Sequence, residues 1–168
     1  AVPVPGMRVL RDQVVGVVGF GRIGREVVHR LRAFKCQVLV HDPVVSAADI
    51  AAAGATAATL DEILARSDIL SLHCPSTPAT RKLINATSLA AMKRGALLVN
   101  VARGDLVDTQ ALVAALESGQ IGAAALDVFD PEPLPADHAL RRPRPNLIVA
   151  PHIASVSPTA VRALREGA

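Results

Sequence analysis

The 168-residue chain has no tryptophan, no tyrosine and three phenylalanines, and its cysteines and methionines number two each. So few aromatic rings leave no stacking platform of the kind that holds single-stranded nucleic acid. Cys36 and Cys74 are too few for a disulfide framework and lack the paired spacing of a zinc site. Two reduced thiols and no metal are therefore expected. No apolar run approaches the roughly 18–20 residues that cross a bilayer. Nor does a basic segment lead into a short apolar one, as in a secretory signal. These absences predict a cytoplasmic protein with neither a membrane nor a nucleic-acid partner.

What is present is aliphatic. Apolar residues make up 51% of the chain and charged residues 20%, which suits a single soluble domain with a core of its own. Thirty residues are alanine, a composition that lets helices lie close on a sheet. The formal charge is +3, but the basic residues are scattered over helix and loop positions. The densest group, Arg141, Arg142 and Arg144, falls in a proline-rich stretch and reads as a solvated surface.

Short apolar runs alternate with amphipathic stretches, the pattern of a parallel sheet with crossover helices. Buried strands are expected at 14–18, 37–40, 69–72, 96–101, 121–128 and 147–150, with a weak strand near Thr56. Ile23, Val27, Leu31 and Phe34 recur at helical spacing and predict a helix packed on the sheet through that stripe. Residues 47–58 are alanine-rich and predict a short helix before the weak strand. Asp108 is placed to cap a helix through Leu112, Val113 and Leu116 that stops at Ser118 and Gly119. Residues 131–145 hold five of the twelve prolines and read as an irregular connection between the last two strands. The fold class is α/β: a doubly wound Rossmann-type domain with a mostly parallel sheet of about seven strands, covering 1–168 without an internal repeat.

Directly after the first strand stands a GxGxxG string, from Gly19 through Gly21 to Gly24, and it opens the first helix. That setting is what a dinucleotide-binding turn requires. Gly19 permits the tight turn, Gly21 lets backbone amides approach a pyrophosphate, and Gly24 lets the helix sit against the strand. The helix N-terminus then faces the anion. Asp42 follows at the end of the second strand, where a carboxylate binds the ribose hydroxyls. A carboxylate repels a 2′-phosphate, and no arginine follows Asp42 before Arg66, so the expected cofactor is NAD rather than NADP.

Ligands of open parallel sheets sit outside the carboxyl ends of the strands. Three later strands end there on Arg103, Glu132 and His152. An arginine offers a two-pronged donor to a carboxylate or carbonyl. A histidine exchanges a hydroxyl proton near neutral pH, and a nearby glutamate orients its ring. Each has a plainer structural reading: Arg103 as a partner of Asp105, Glu132 as an exposed loop acid, His152 as a loop histidine.

The segments Val18-Gly-Phe-Gly-Arg-Ile-Gly24, Leu72-His-Cys-Pro75 with Thr80, Val99-Asn-Val-Ala-Arg-Gly-Asp-Leu-Val-Asp108, Ala125-Leu-Asp-Val-Phe-Asp-Pro-Glu-Pro133 and Ala150-Pro-His-Ile-Ala-Ser155 together resemble the D-isomer-specific 2-hydroxyacid dehydrogenases, among them the D-3-phosphoglycerate dehydrogenases. The resemblance covers nearly the whole chain from Leu10. It implies NAD-dependent hydride transfer between a D-2-hydroxy acid and its 2-keto acid. Arg103 would bind the substrate, His152 would be the acid/base and Glu132 would hold His152. It further implies Arg22 and Ile23 at the pyrophosphate and Cys74 near the adenosine. Thr80, Val101, Ala102, Arg103, Asp127, His152 and Ser155 would complete the cofactor site, with Asp127 on the nicotinamide carboxamide. His73 would shape the adenine pocket.

Two departures from the family pattern are mild: Asp130 replaces a common glutamate and Ala154 a common glycine. Members of the family also carry a smaller substrate domain, with a last helix crossing back to it. The N-terminal substrate domain and that crossover helix are therefore expected to be missing or truncated here, leaving a cofactor domain that binds NAD and turns over poorly by itself. A homodimer joined through the cofactor domain is expected. The alternative within the same fold is an NAD(H)-sensing corepressor-like module.

Overall fold

The computed structural model describes residues 8–166. Its strands are β1 (Val14–Val18), β2 (Gln37–His41), β3 (Thr56–Ala57), β4 (Ile69–Leu72), β5 (Ala96–Asn100), β6 (Ile121–Leu126) and β7 (Leu147–Val149). The helices are α1 (Arg22–Ala33), α2 (Ala47–Ala52), α3 (Leu60–Arg66), α4 (Ala86–Ala91), α5 (Thr109–Glu117) and α6 (Pro158–Glu166). All seven strands are parallel, in the order β3-β2-β1-β4-β5-β6-β7. Strands of such a sheet are buried on both faces and so read as unbroken apolar runs. The order reverses between β1 and β4, which opens a crevice at their carboxyl ends.

Alternate residues of each strand feed two separate cores. On one face Val15, Val17, Val38 and Val40 meet Val28 of α1 and Ile50 of α2. On the other, Leu39, Leu70, Leu72, Leu98 and Leu126 meet Ile63 of α3, Leu89 of α4 and Leu112 of α5. Among the described residues, the first face is not covered to the end of the sheet. Leu97, Ala123, Ala125 and Ile148 share it by register, and Leu97 is 39% and Ile148 70% exposed.

Several local expectations need correction. The buried stripe of α1 is Gly24 and Val28, flanked by the half-buried Val27 and Leu31. Ile23 and Phe34 are instead 66% and 58% exposed. Helix α1 packs on the sheet through Val28, with Gly24 brought against the Gly19 turn. Strand β5 stops at Asn100, one residue early, because the Asn100 side chain accepts the Ala102 amide and bends the chain away. Strand β6 stops at Leu126, where Asp127 turns its carboxylate to another loop. Arg144 is not a solvated charge: its side chain is 16% exposed and meets Glu117 at 2.8 Å. The 131–145 connection is irregular as expected, and it is pinned by the buried Leu140 and by Arg141 donating to the Leu134 carbonyl.

Short helices α3 and α4 form without a long apolar period because each starts in a capping box, Thr59 with Glu62 and Asn85 with Ser88. Helix α5 begins and ends where its sequence signals lie. Asp108 accepts from the Gln110 and Ala111 amides, and Gly119 takes a φ of 69°.

Candidate active site

The glycine turn is built by close backbone approach. Gly19 has a φ of 95°, and a side chain there would strike the backbone of His73 and Cys74. A Cβ on Gly24 would strike the Gly19 carbonyl, so helix and turn meet only as glycines. Gly21 is different: nothing lies within 4 Å of the position its Cβ would take. The open space stands over the start of α1, whose cap residue Gly21 contributes no side-chain bond and whose first turn has no acid. Free amides and the positive end of a 12-residue helix form a cradle suited to an anion. Arg22 and Ile23 stand exposed beside it.

Asp42 lies against this turn. Its carboxylate accepts from the Phe20 amide at 2.7 Å and from the Val44 and Val45 amides at 2.9 and 3.2 Å. Burial raises its pKa, but the three amides pull the other way and His41 adds to them. The net position is below the ordinary carboxylate value. A carboxylate oxygen can accept more than one donor, so the anchored group still has capacity for hydroxyls. Next to the turn, burial pushes the Cys74 thiol above its usual range. Burial also holds the His73 imidazole below its ordinary pKa, with Nε2 on the Ser71 hydroxyl at 2.8 Å. The Thr80 hydroxyl is engaged in its own loop, donating to Pro75 and accepting from the Thr77 amide.

The second cluster forms where β5, β6 and β7 end. A cleft of about 250 Å³ is lined by Arg103, Glu132 and His152, along with Ser76, Arg81 and Asp105. His152 donates from Nδ1 to Glu132 Oε1 at 2.9 Å, across 20 residues of sequence. This contact joins two side chains that are both partly exposed. Arg103 does not pair with Asp105, which is taken by Ser76 and by Arg81 at 3.3 Å. Instead its guanidinium reaches back to the Ala102 carbonyl. His152 sits at a φ of 56°, a left-handed conformation uncommon for a residue with a Cβ. Val101 is 37% exposed and Ala102 buried on the same strand end. Ser155 is exposed beyond His152.

Two groups in this region act on backbone. Buried Asn100 accepts the Ala102 amide at 3.1 Å and donates to the Arg103 carbonyl at 2.8 Å, fixing the loop that carries Arg103. Sequence reading passed over Asn100, although a polar residue closing an apolar strand run three positions before Arg103 was a usable signal. Asp127, 5% exposed, accepts the Ile153 and Ala154 amides at 2.8 Å each. Ser76, Arg81 and Asp105 were likewise missed. They meet only through the pairing of the loops after β4 and β5, where Ile84 bridges to Val107.

Comparison with known proteins identifies the family. A family model described as D-isomer specific 2-hydroxyacid dehydrogenase, NAD binding domain, matches residues 4–154. A glyoxylate reductase of Thermofilum pendens is 43% identical over 159 residues, 94% of this chain and 46% of that protein. A D-3-phosphoglycerate dehydrogenase of Mycobacterium tuberculosis is 49% identical over 121 residues, 72% of this chain and 23% of that protein. The crystal structure of a D-isomer specific 2-hydroxyacid dehydrogenase from Lactobacillus delbrueckii ssp. bulgaricus, in an NAD-complexed form, superposes with a TM-score of 0.88 at 32% identity. The superposition covers 95% of this chain and 53% of that one. The chain thus spans less than half the length of these two curated relatives.

Proposed function

The chain belongs to the D-isomer specific 2-hydroxyacid dehydrogenase family, and from that premise we propose that its protein interconverts a D-2-hydroxy acid and the corresponding 2-keto acid. The chain is the family's NAD-binding domain, and in this proposal it also supplies the reactive side chains. The observation that carries the reading is the Glu132–His152 hydrogen bond in a cleft that Arg103 also lines.

The cradle at Gly21 and α1 would hold the pyrophosphate beside Arg22 and Ile23, and Asp42 would meet the ribose hydroxyls. Cys74, Thr80, Val101, Ala102, Asp127 and Ser155 would border the rest of the cofactor. When bound, NAD supplies the carbon that takes or gives the hydride. Arg103 pairs its guanidinium with the substrate carboxylate and the C2 oxygen. His152 holds its Nδ1 proton against Glu132, which leaves Nε2 to take the proton from the C2 hydroxyl in oxidation and return it in reduction. Glu132 fixes the ring through its hydrogen bond to Nδ1. Relatives named for different acids match this chain, so the substrate class proposed is the one they share: a 2-keto acid whose carboxylate Arg103 can grip. A cytoplasmic homodimer joined through this domain is the proposed form.

The test is a panel of 2-keto acids with NADH, assayed in the protein that carries this chain. Arg103→Ala and His152→Ala should each lower kcat/KM by about 10²–10⁴-fold. A parent protein that binds NADH, reduces no keto acid and retains a protein partner would overturn the proposal in favour of an NAD(H)-sensing module.

A further inference from the structure

Asp127 also serves the protein's own backbone. It begins the segment after β6, its own amide donates to the Asn100 carbonyl at 3.0 Å, and both of its carboxylate oxygens receive backbone amides. Those amides belong to Ile153 and Ala154, 26 and 27 residues further on, the two positions that follow His152. A carboxylate this buried is retained at a desolvation penalty unless its charge is met by donors, and the two 2.8 Å bonds meet it. The loop it grips is otherwise weakly held. Residues 152–155 are all exposed, and His152 itself sits in the left-handed region, where few contacts would keep it.

We propose that Asp127 is a positioning residue for His152: by clamping the two amides that follow the histidine, it sets the backbone from which the ring reaches Glu132. The inference rests on the acid/base role given to His152 above and deepens it. Both ends of the ring's placement then come from the strand before it. Glu132 takes Nδ1 from one side, and Asp127 holds the backbone from the other. The anchor continues inward, since Asn100 carries the Asp127 amide and also ties down the Arg103 loop. Arg103 and His152, on different strands, are therefore held from one buried polar pair.

The experiment is nitrogen-15 NMR of the whole chain at alkaline pH, where imidazole is neutral and its two nitrogens report which one carries the proton. In the parent chain the Nδ1–H form of His152 should dominate. Through-hydrogen-bond couplings should connect the Ile153 and Ala154 amides to the Asp127 carboxylate carbon. Asp127→Asn keeps the size but turns an amide donor toward a donor. It should accelerate exchange of those two amides about ten- to a hundred-fold and shift the His152 ring toward the tautomer mixture of a free imidazole. Glu132→Gln should disturb the ring and leave the exchange rates alone.

Faster exchange in Asp127→Asn with an unchanged ring tautomer would overturn the proposal, because it would reduce Asp127 to a loop staple. Absence of the couplings in the parent chain would overturn it as well, and that measurement needs no variant to fold. Neither readout requires NAD or a keto acid, so a failure of the dehydrogenase reading would be seen separately.

Discussion

Removing the Asp42 carboxylate tests whether a residue expected to bind ribose also holds the turn together. In Asp42→Ala the Phe20 amide, belonging to a fully buried residue, loses its only acceptor at 2.7 Å. Leaving such a donor unpaired costs about 1–3 kcal/mol. The Val44 and Val45 amides lose their acceptor too but lie nearer solvent, and their loss adds roughly 0.5–1.5 kcal/mol. The sum, about 1.5–4.5 kcal/mol, should lower the melting temperature by roughly 3–18 °C for a domain of this size. Asp42→Asn keeps one acceptor oxygen and should lose about half as much.

The pH dependence has a definite sign. Burial raises the Asp42 pKa, the Phe20, Val44 and Val45 amides outweigh it, and the folded value lies below the ordinary 3.8. Its stabilisation is thus complete above that value and is lost as pH falls through the lowered one. Parent and variant curves should run parallel near neutrality and converge in acid. In the same protein, the parent should bind NADH at least about tenfold more tightly than NADPH, and Asp42→Ala should narrow that ratio by removing the charge that repels a 2′-phosphate. A variant that melts within about 1 °C of the parent at neutral pH would refute the structural part of this reasoning. Equal NADH and NADPH affinities in the parent would refute the electrostatic part.

Gly24→Ala places a methyl against the Gly19 carbonyl. Backbone cannot step aside there as a side-chain tip would, so the variant should lose about 1–3 kcal/mol in urea unfolding and most of its NADH fluorescence titration. Full NADH affinity in that variant would show that the turn tolerates a wider gap. Gly104→Ala drives a methyl into the Phe129 backbone, separating the loop of Arg103 from the loop of Glu132. Its expected signature is keto-acid turnover reduced well beyond any change in NADH binding, read by steady-state kinetics beside a titration.

Most of the sheet was legible because buried parallel strands and their glycine or aspartate endings are written locally. The GxGxxG turn, the α5 cap at Asp108 and the approximate places of all seven strands depend on near neighbours in sequence. What escaped depends on side chains turning onto backbone and, in most cases, on contacts between distant segments. Strands β5 and β6 end where Asn100 and Asp127 take up backbone amides, and the Asp127 partners belong to a loop more than 25 residues away. The helical period of α1 pointed to Ile23 and Phe34, because periodicity marks a face without saying how near the sheet that face can come. Val28 takes the sheet contact, and Gly24 meets the Gly19 turn. In the cleft, Arg103, Glu132 and His152 were readable from the strand-end rule, and the Glu132–His152 bond joins two of them. Ser76 and Arg81 carried no such mark, because they reach the cleft only when the loops after β4 and β5 pair.

The half-covered sheet has a consequence for how this chain behaves in solution. Leu97, Ala123, Ala125 and Ile148 form a continuous apolar strip on strands that also carry Arg103 and lead to His152. Water disfavours such a strip, and copies of the chain at high concentration are expected to associate through it. Association of that kind stabilises the folded form by mass action. Light scattering, melting temperature and NADH affinity should therefore change together along a dilution series, and a melting temperature independent of concentration would refute the association.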